Sequence, residues 1–264
     1  MNVYDLDLYF KELLSISDFD GIDVSQNGLQ VACSKKPIKK IAFAVDACLE
    51  NFQKAIQLGC DLLFVHHGIF WGRSLLITGN HYERISYLIK NDLALYAVHL
   101  PLDAHPLYGN NAGIARNLGL KDLESFGLYK GKYIGLKGRF TAKSTKADES
   151  FEDAVSLEEL LSRLFNRGEE PRNVLAFGPK KIKTVGIISG AASGDVTQAI
   201  SEGLDCFISG EIKHEVYHQA LENKITVIAA GHYQSETFGV KSVMEKLQSE
   251  STIECFFLET PTGL

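Results

Sequence analysis

Apolar residues along this chain fall into short unbroken runs separated by stretches of helical periodicity. IAFAV (41–45), LLFV (62–65), VGIIS (185–189) and CFIS (206–209) have the length and continuity of strands buried on both faces. LALYAV and ITVIAA add two further runs at 93–98 and 225–230. Amphipathic stretches predict helices near 5–16, 81–91 and 236–249, and another over NAGIARNLGL with Asn110 and Asn111 as its caps. Strands alternating with helices in this way predict an α/β fold, with mixed or parallel sheets flanked by helices.

The pattern also repeats. Residues 38–68 and 182–212 align without a gap at an offset of 144, superposing Ile38 on Ile182, Ala55 on Ala199, Gly59 on Gly203 and Asp61 on Asp205. Each copy reads as a strand, a helix closed by a C-terminal glycine, and a second strand. Later in each copy an apolar run ends in a histidine with a carboxylate four residues on: His99 and Asp103, then His232 and Glu236. An internal duplication is therefore expected, giving two similar α/β subdomains, 1–130 and 131–264, with a shared site between them. RFTAKSTKADESFEDAVS (139–156) is polar and lacks apolar periodicity, so it is expected to be a mobile loop or the linker entering the second half. Ser156 with Glu159 then fits a capping box for the helix LEELLSRLF.

Composition narrows the class. With 45% hydrophobic and 23% charged residues in 264, the chain is globular, and no run approaches the ~20 apolar residues needed to cross a bilayer. The start MNVYDLDLYF mixes acidic and apolar residues, unlike a secretory signal, which predicts a cytoplasmic location. Five cysteines with no CxxC spacing read as small buried hydrophobes in a reducing compartment. A net charge of -6 disfavours a nucleic-acid partner, despite lysine clusters at 35–40 and 180–183. The glycines at 186, 190 and 194 match neither GxGxxG nor a Walker loop, and GxSxG is absent.

The histidines carry the chemistry. His66 and His67 follow LLFV directly and stand at a strand's carboxyl end, where open α/β sheets place their ligands. Together with the two His-x3-carboxylate pairs they predict a metal site. Imidazole and carboxylate without thiolate suit Zn, Mn, Fe, Co or Ni. Five or six ligands exceed the need of one tetrahedral zinc and fit two ions about 3.5–4 Å apart that activate a water. Glu211, which aligns with His67, is a candidate base, an acceptor for a ligand, or simply a helix N-terminal acid. His105 would either orient a ligand or shape its loop. His81, His214 and His218 read as ordinary surface or packing residues.

NGLQV (27–31), GCDLLFVHHGIFW (59–71), LYAVHLPLDAHPLYGNNA (95–112), ISGEIKHE (208–215) and AAGHYQSETFG (229–239) together resemble the NIF-three-like family, whose members carry the name GTP cyclohydrolase I type 2 homologue. The resemblance runs in order from about residue 20 to FLETP at the C-terminus. It implies a dinuclear metal centre held by His66, His67, Asp103, His232 and Glu236, with His99 and Glu211 as candidate acid/base residues. It also implies a ring-shaped homohexamer and a nucleotide as small-molecule substrate. The implied reaction is hydrolytic opening of the GTP imidazole ring with release of formate. Arg73, Arg116, Lys137 and Arg139 are candidates for the triphosphate. The alternative is a non-catalytic metal-binding regulator or scaffold that acts through protein partners.

Overall fold

The computed structural model describes residues 1–34, 36–73, 75–141, 153–165 and 168–264. Most of the polar stretch expected to be a loop, residues 142–152, lies outside them. The chain begins with α1 (Val3–Leu13), β1 (Gly28–Val31), β2 (Lys40–Asp46), α2 (Leu49–Gln57), β3 (Leu62–His67), α3 (Gly79–Lys90), β4 (Ala94–Ala97) and the short α4 (Leu100–Ala104). It continues through α5 (Asn110–Leu118), β5 (Lys121–Tyr129), β6 (Lys132–Arg139), β7 (Val155–Ser156), α6 (Leu157–Leu164), β8 (Asn173–Ala176), β9 (Lys181–Ile182) and β10 (Thr184–Ile188). Then come α7 (Val196–Ser201), β11 (Cys206–Ser209), α8 (Val216–Asn223), β12 (Thr226–Ala229), α9 (His232–Ser235), α10 (Thr237–Glu250) and β13 (Glu254–Phe257). The architecture is mixed α/β, as the alternation of runs predicts.

These elements form two compact units. The first comprises Met1–Gly109 with Gly239–Thr260, and the second Asn110–Phe238 with Pro261–Leu264. The sequence division near residue 130 falls at the turn between β5 and β6, a hairpin belonging wholly to the second unit. Most of α10 and β13 belong to the first unit because their apolar faces do: Val240, Val243, Leu247 and Ile253 pack with Phe10, Phe43, Phe64 and Tyr96 in one buried cluster.

The first unit is built on a five-stranded sheet in the order β1-β4-β3-β2-β13. Its central strands pair in parallel, and Ile41–Val45 are all buried, which explains the unbroken apolar run. Helix α1 is set by Asn2, whose side chain accepts from the amides of Tyr4 and Asp5 while the Asp5 carboxylate accepts from the Asn2 amide. It stops at Leu13, earlier than the expected residue 16, because Ser15 takes a left-handed φ of 48°.

The second unit holds a six-stranded sheet, β5-β6-β10-β11-β12-β8, with β10, β11 and β12 parallel. In α6, Ser156 accepts from the Glu159 amide at 3.1 Å, the N-terminal cap its sequence predicts. Asn111, expected as a cap, lies inside the first turn of α5. It is buried, its Nδ2 donates to the Ile134 carbonyl and its Oδ1 accepts from the Ser189 amide, so it ties the helix to β6 and to the end of β10.

The sequence repeat has a counterpart in the backbone. Ile41 pairs with Leu62 and Val185 with Cys206, both partners displaced by the same 144 positions. Asp61 accepts from the amides of Lys39 and Lys40, and Asp205 from those of Lys183 and Thr184. Gly59 and Gly203 close their helices at φ 70° and 66° with the same pair of amide bonds back into the last turn.

The match of the two His-x3-carboxylate pairs is less regular. The amides of Val98 and Ala230 donate to Val65 and Ser209 in equivalent steps, so His99 corresponds to Gly231 and His232 stands one position further on. His99 and Gly231 are accordingly the N-caps of α4 and α9.

Among the described residues no helix is long and apolar enough to cross a membrane. Cys60 and Cys206 are buried, and Cys33, Cys48 and Cys255 are partly so. Burial pushes the Cys60 thiol up to about 12, which keeps it inert near neutral pH.

Candidate metal centre

In the first unit β3 runs through both histidines, and their rings lie 4.6 Å apart between centroids. His66 is fully buried, and its Nδ1 is 2.9 Å from the Val98 carbonyl. A carbonyl only accepts, so Nδ1 carries the proton and Nε2 carries the lone pair that a cation would take. His67 follows the same rule, with Nδ1 at 2.8 Å from Asp46 at the end of β2. His99, the N-cap of α4, has Nδ1 2.9 Å from Asp23. One ring nitrogen from each of these three lies within 4.8 Å of the other two, a group able to hold a metal ion. Asp103, buried on α4, places Oδ2 3.6 Å from His66 Nε2.

Burial alone would push the Asp23 carboxyl up. The hydrogen bond and charge of His99, with the Asn27 amide, outweigh it and hold that carboxyl at about 2.

In the second unit His232 sits at the start of α9 between two carboxylates. Its Nδ1 is 2.5 Å from Glu211 and its Nε2 3.2 Å from Glu236, which is buried. The hydrogen bond that His232 donates to Glu236, then against burial the charge of Glu236 and the pull of Glu211, raise His232 to about 9. Room for Glu236 comes from Gly190, at φ 66°, where a Cβ would collide with Glu236 Oε1. Buried serines fix the surrounding loops. Ser235 Oγ accepts from the Gly190 amide and donates to the His232 carbonyl. Ser193 donates to the Glu211 carbonyl and accepts from the Lys213 amide.

The donor set fits a divalent metal. Every histidine named for the site has an acceptor at Nδ1, the arrangement that fixes tautomer and ring orientation in metal-ligating imidazoles. His105 shows the opposite tautomer: its Nδ1 accepts from the amides of Leu107 and Tyr108, so it shapes its own loop. Glu211, a candidate base or an acceptor for a ligand, lies against Nδ1 of His232, the contact expected of the acceptor. Lys137 is paired with Glu124 and Glu202, and Arg139 with Asp122, so carboxylates already engage two of the cations considered for a triphosphate.

Asp23, Asp46 and Ser193 are missing from the reading of the sequence. Asp23 precedes NGLQV and Asp46 ends the first buried strand, positions that carry no signal until the strands are paired.

The sequence profile of the Duf34/NIF3 (NGG1p interacting factor 3) family matches residues 1–263. Over the whole of both chains, this one is 44% identical to the GTP cyclohydrolase 1 type 2 homolog of Treponema pallidum and 42% identical to that of Archaeoglobus fulgidus. The crystal structure of TTHA1606 from Thermus thermophilus is 38% identical and superposes with a TM-score of 0.86, covering 100% of each chain. With its β3 histidines, its α9 His-x3-Glu pair and its full-length match, the chain belongs to the Duf34/NIF3 family.

Proposed function

We propose that this protein is a metal-dependent hydrolase, with two divalent ions held by His66, His67, Asp103, His232 and Glu236. The observation that carries this reading is the common commitment of Nδ1 in the site imidazoles, which in His66 and His67 presents Nε2 lone pairs, with the buried Asp103 carboxylate 3.6 Å from Nε2 of His66. Such lone pairs and carboxylates are costly to gather without a cation. Five ligands suit two ions with open positions better than one closed structural ion, which favours an enzyme over a scaffold.

When bound, the ions supply Lewis-acid activation of water near neutral pH. The chain's own residues do the rest. Glu211, Asp46 and the Val98 carbonyl orient the ligands, and His99 stands beside His66 and His67 as the group that receives or returns a proton. Trp71 packs edge-on against His99 at 4.9 Å and shields that side from water.

The name shared by the relatives makes GTP the first substrate to try, and opening of its imidazole ring with release of formate the first reaction. The test is formate release from GTP by protein loaded in turn with Zn, Mn, Fe, Co and Ni. Turnover that disappears in His66→Ala and Glu236→Ala supports the reading. Wild-type protein that binds two ions yet hydrolyses neither GTP nor related nucleotides contradicts it and leaves the metal-binding scaffold.

A further inference from the structure

Asp23 and Asn27 converge on His99 and brace each other. Asp23 Oδ1 accepts from His99 Nδ1 at 2.9 Å and from the Ser25 amide at 2.9 Å. Asp23 Oδ2 accepts from the Leu100 amide at 2.9 Å and from Asn27 Nδ2 at 2.8 Å. Asn27 Oδ1 in turn accepts from the His99 amide at 2.7 Å. A carboxylate with four donors around it stays a pure acceptor, so His99 is held as the Nδ1–H tautomer and Nε2 is the nitrogen it offers.

The clamp itself is immobilised. The Gln26 amide donates to the Phe70 carbonyl and the Gly72 amide to the Val24 carbonyl, tying the 23–27 loop to the segment after His66 and His67. The Trp71 ring, inclined at 78° to His99, closes another side.

We propose that Asp23, braced by Asn27, is the positioning residue for His99. It fixes the imidazole ring with Nε2 turned toward the His66–His67 pair, where that nitrogen accepts a hydrogen bond from the reacting water or substrate. This rests on the hydrolase reading for its role in turnover, but its geometry stands alone. Asp23 shares its pattern with the acceptors on the other site histidines, and the opposite tautomer of His105 shows that the pattern is not a general habit of the chain.

The test uses zinc-loaded protein labelled with nitrogen-15 at histidine, read by long-range proton–nitrogen correlation. In wild type, His99 shows a protonated Nδ1 and a bare Nε2. An Nε2–H tautomer there overturns the proposal even if no variant folds. Asp23→Asn puts an amide against either Nδ1–H or Leu100 N–H, so His99 gains Nε2–H population while zinc content stays at the wild-type level. Asn27→Ser leaves the carboxylate in place and keeps the wild-type tautomer. With GTP, Asp23→Asn lowers kcat on the order of 10²-fold or more with KM little changed. A wild type that releases no formate but shows these tautomer shifts removes the substrate reading and leaves the clamp. An active wild type whose His99 tautomer ignores Asp23→Asn removes the clamp and leaves the substrate.

Discussion

The two units share a scaffold and part company at the strand ends. Beneath those ends, Gly59 and Gly203 close equivalent helices, Asp61 and Asp205 hold equivalent amides, and the strand register repeats at one offset. At the ends, His66 and His67 correspond to Gly210 and Glu211, and Asp46 corresponds to Gly190. The first unit therefore gathers three imidazoles, each with an acceptor at Nδ1. The second sets one imidazole between two carboxylates, with a glycine where the first unit has an aspartate. Both arrangements fix a histidine's Nε2, by different side chains on the same backbone. The lesson is that scaffold residues stay paired across the repeat while the chemistry at the tips diverges.

Gly190→Ala should break this comparison most severely. The added Cβ meets Glu236, and the left-handed backbone costs about 1–2 kcal/mol by itself. Asp46→Ala, at the corresponding place in the first unit, removes only the acceptor of His67 and should weaken metal binding about 10–100-fold. Isothermal titration with zinc distinguishes them: Gly190→Ala is expected to lose more than Asp46→Ala, and the reverse order would refute the distinction.

The scaffold pair should respond alike. Asp61→Ala and Asp205→Ala each strand two amides and should each cost about 2 kcal/mol in urea unfolding. Asp205 also accepts from Thr184 Oγ1 and Asp61 also pairs with Lys36, so the two losses should stay close.

Acidity separates the units further. In metal-free protein the raised His232 contributes stability that is fully present below its ordinary value of 6.5 and is lost as pH rises through about 9. Melting temperature should fall across that window, and Glu211→Gln should flatten the fall. A melting temperature that rises from pH 6.5 to 9 would contradict the assignment of cause.

The smallest effect belongs to the helix-closing glycines. Gly59→Ala and Gly203→Ala have open space for a Cβ but a left-handed backbone, so each should cost about 1 kcal/mol, and equally.

Much of this was legible in the sequence. Unbroken apolar runs mark parallel strands because both faces are covered, and the glycines mark helix ends because only they take a left-handed φ cheaply. His66 and His67 stand out because two adjacent polar rings end an apolar run. Asp23 and Asp46 were not legible, since each meets its histidine only through tertiary pairing across 76 and 21 positions. The equivalence of His99 and His232 read too simply for a related reason. Spacing alone does not show that Gly231 takes the helix-cap place at φ 96° and carries His232 one step further. Helix α10 is read correctly as a helix, but its return to the first unit depends on which core its apolar face meets, and periodicity does not name a partner.

The central claim is that five named side chains hold a pair of divalent ions, and the metal content of purified protein tests it most directly. Elemental analysis should find about two ions per chain in wild type. In His66→Ala and in Glu236→Ala the content should fall, with both variants still folded by circular dichroism. Wild-type protein that is folded, carries no metal and takes up none of Zn, Mn, Fe, Co or Ni on reconstitution would contradict the account.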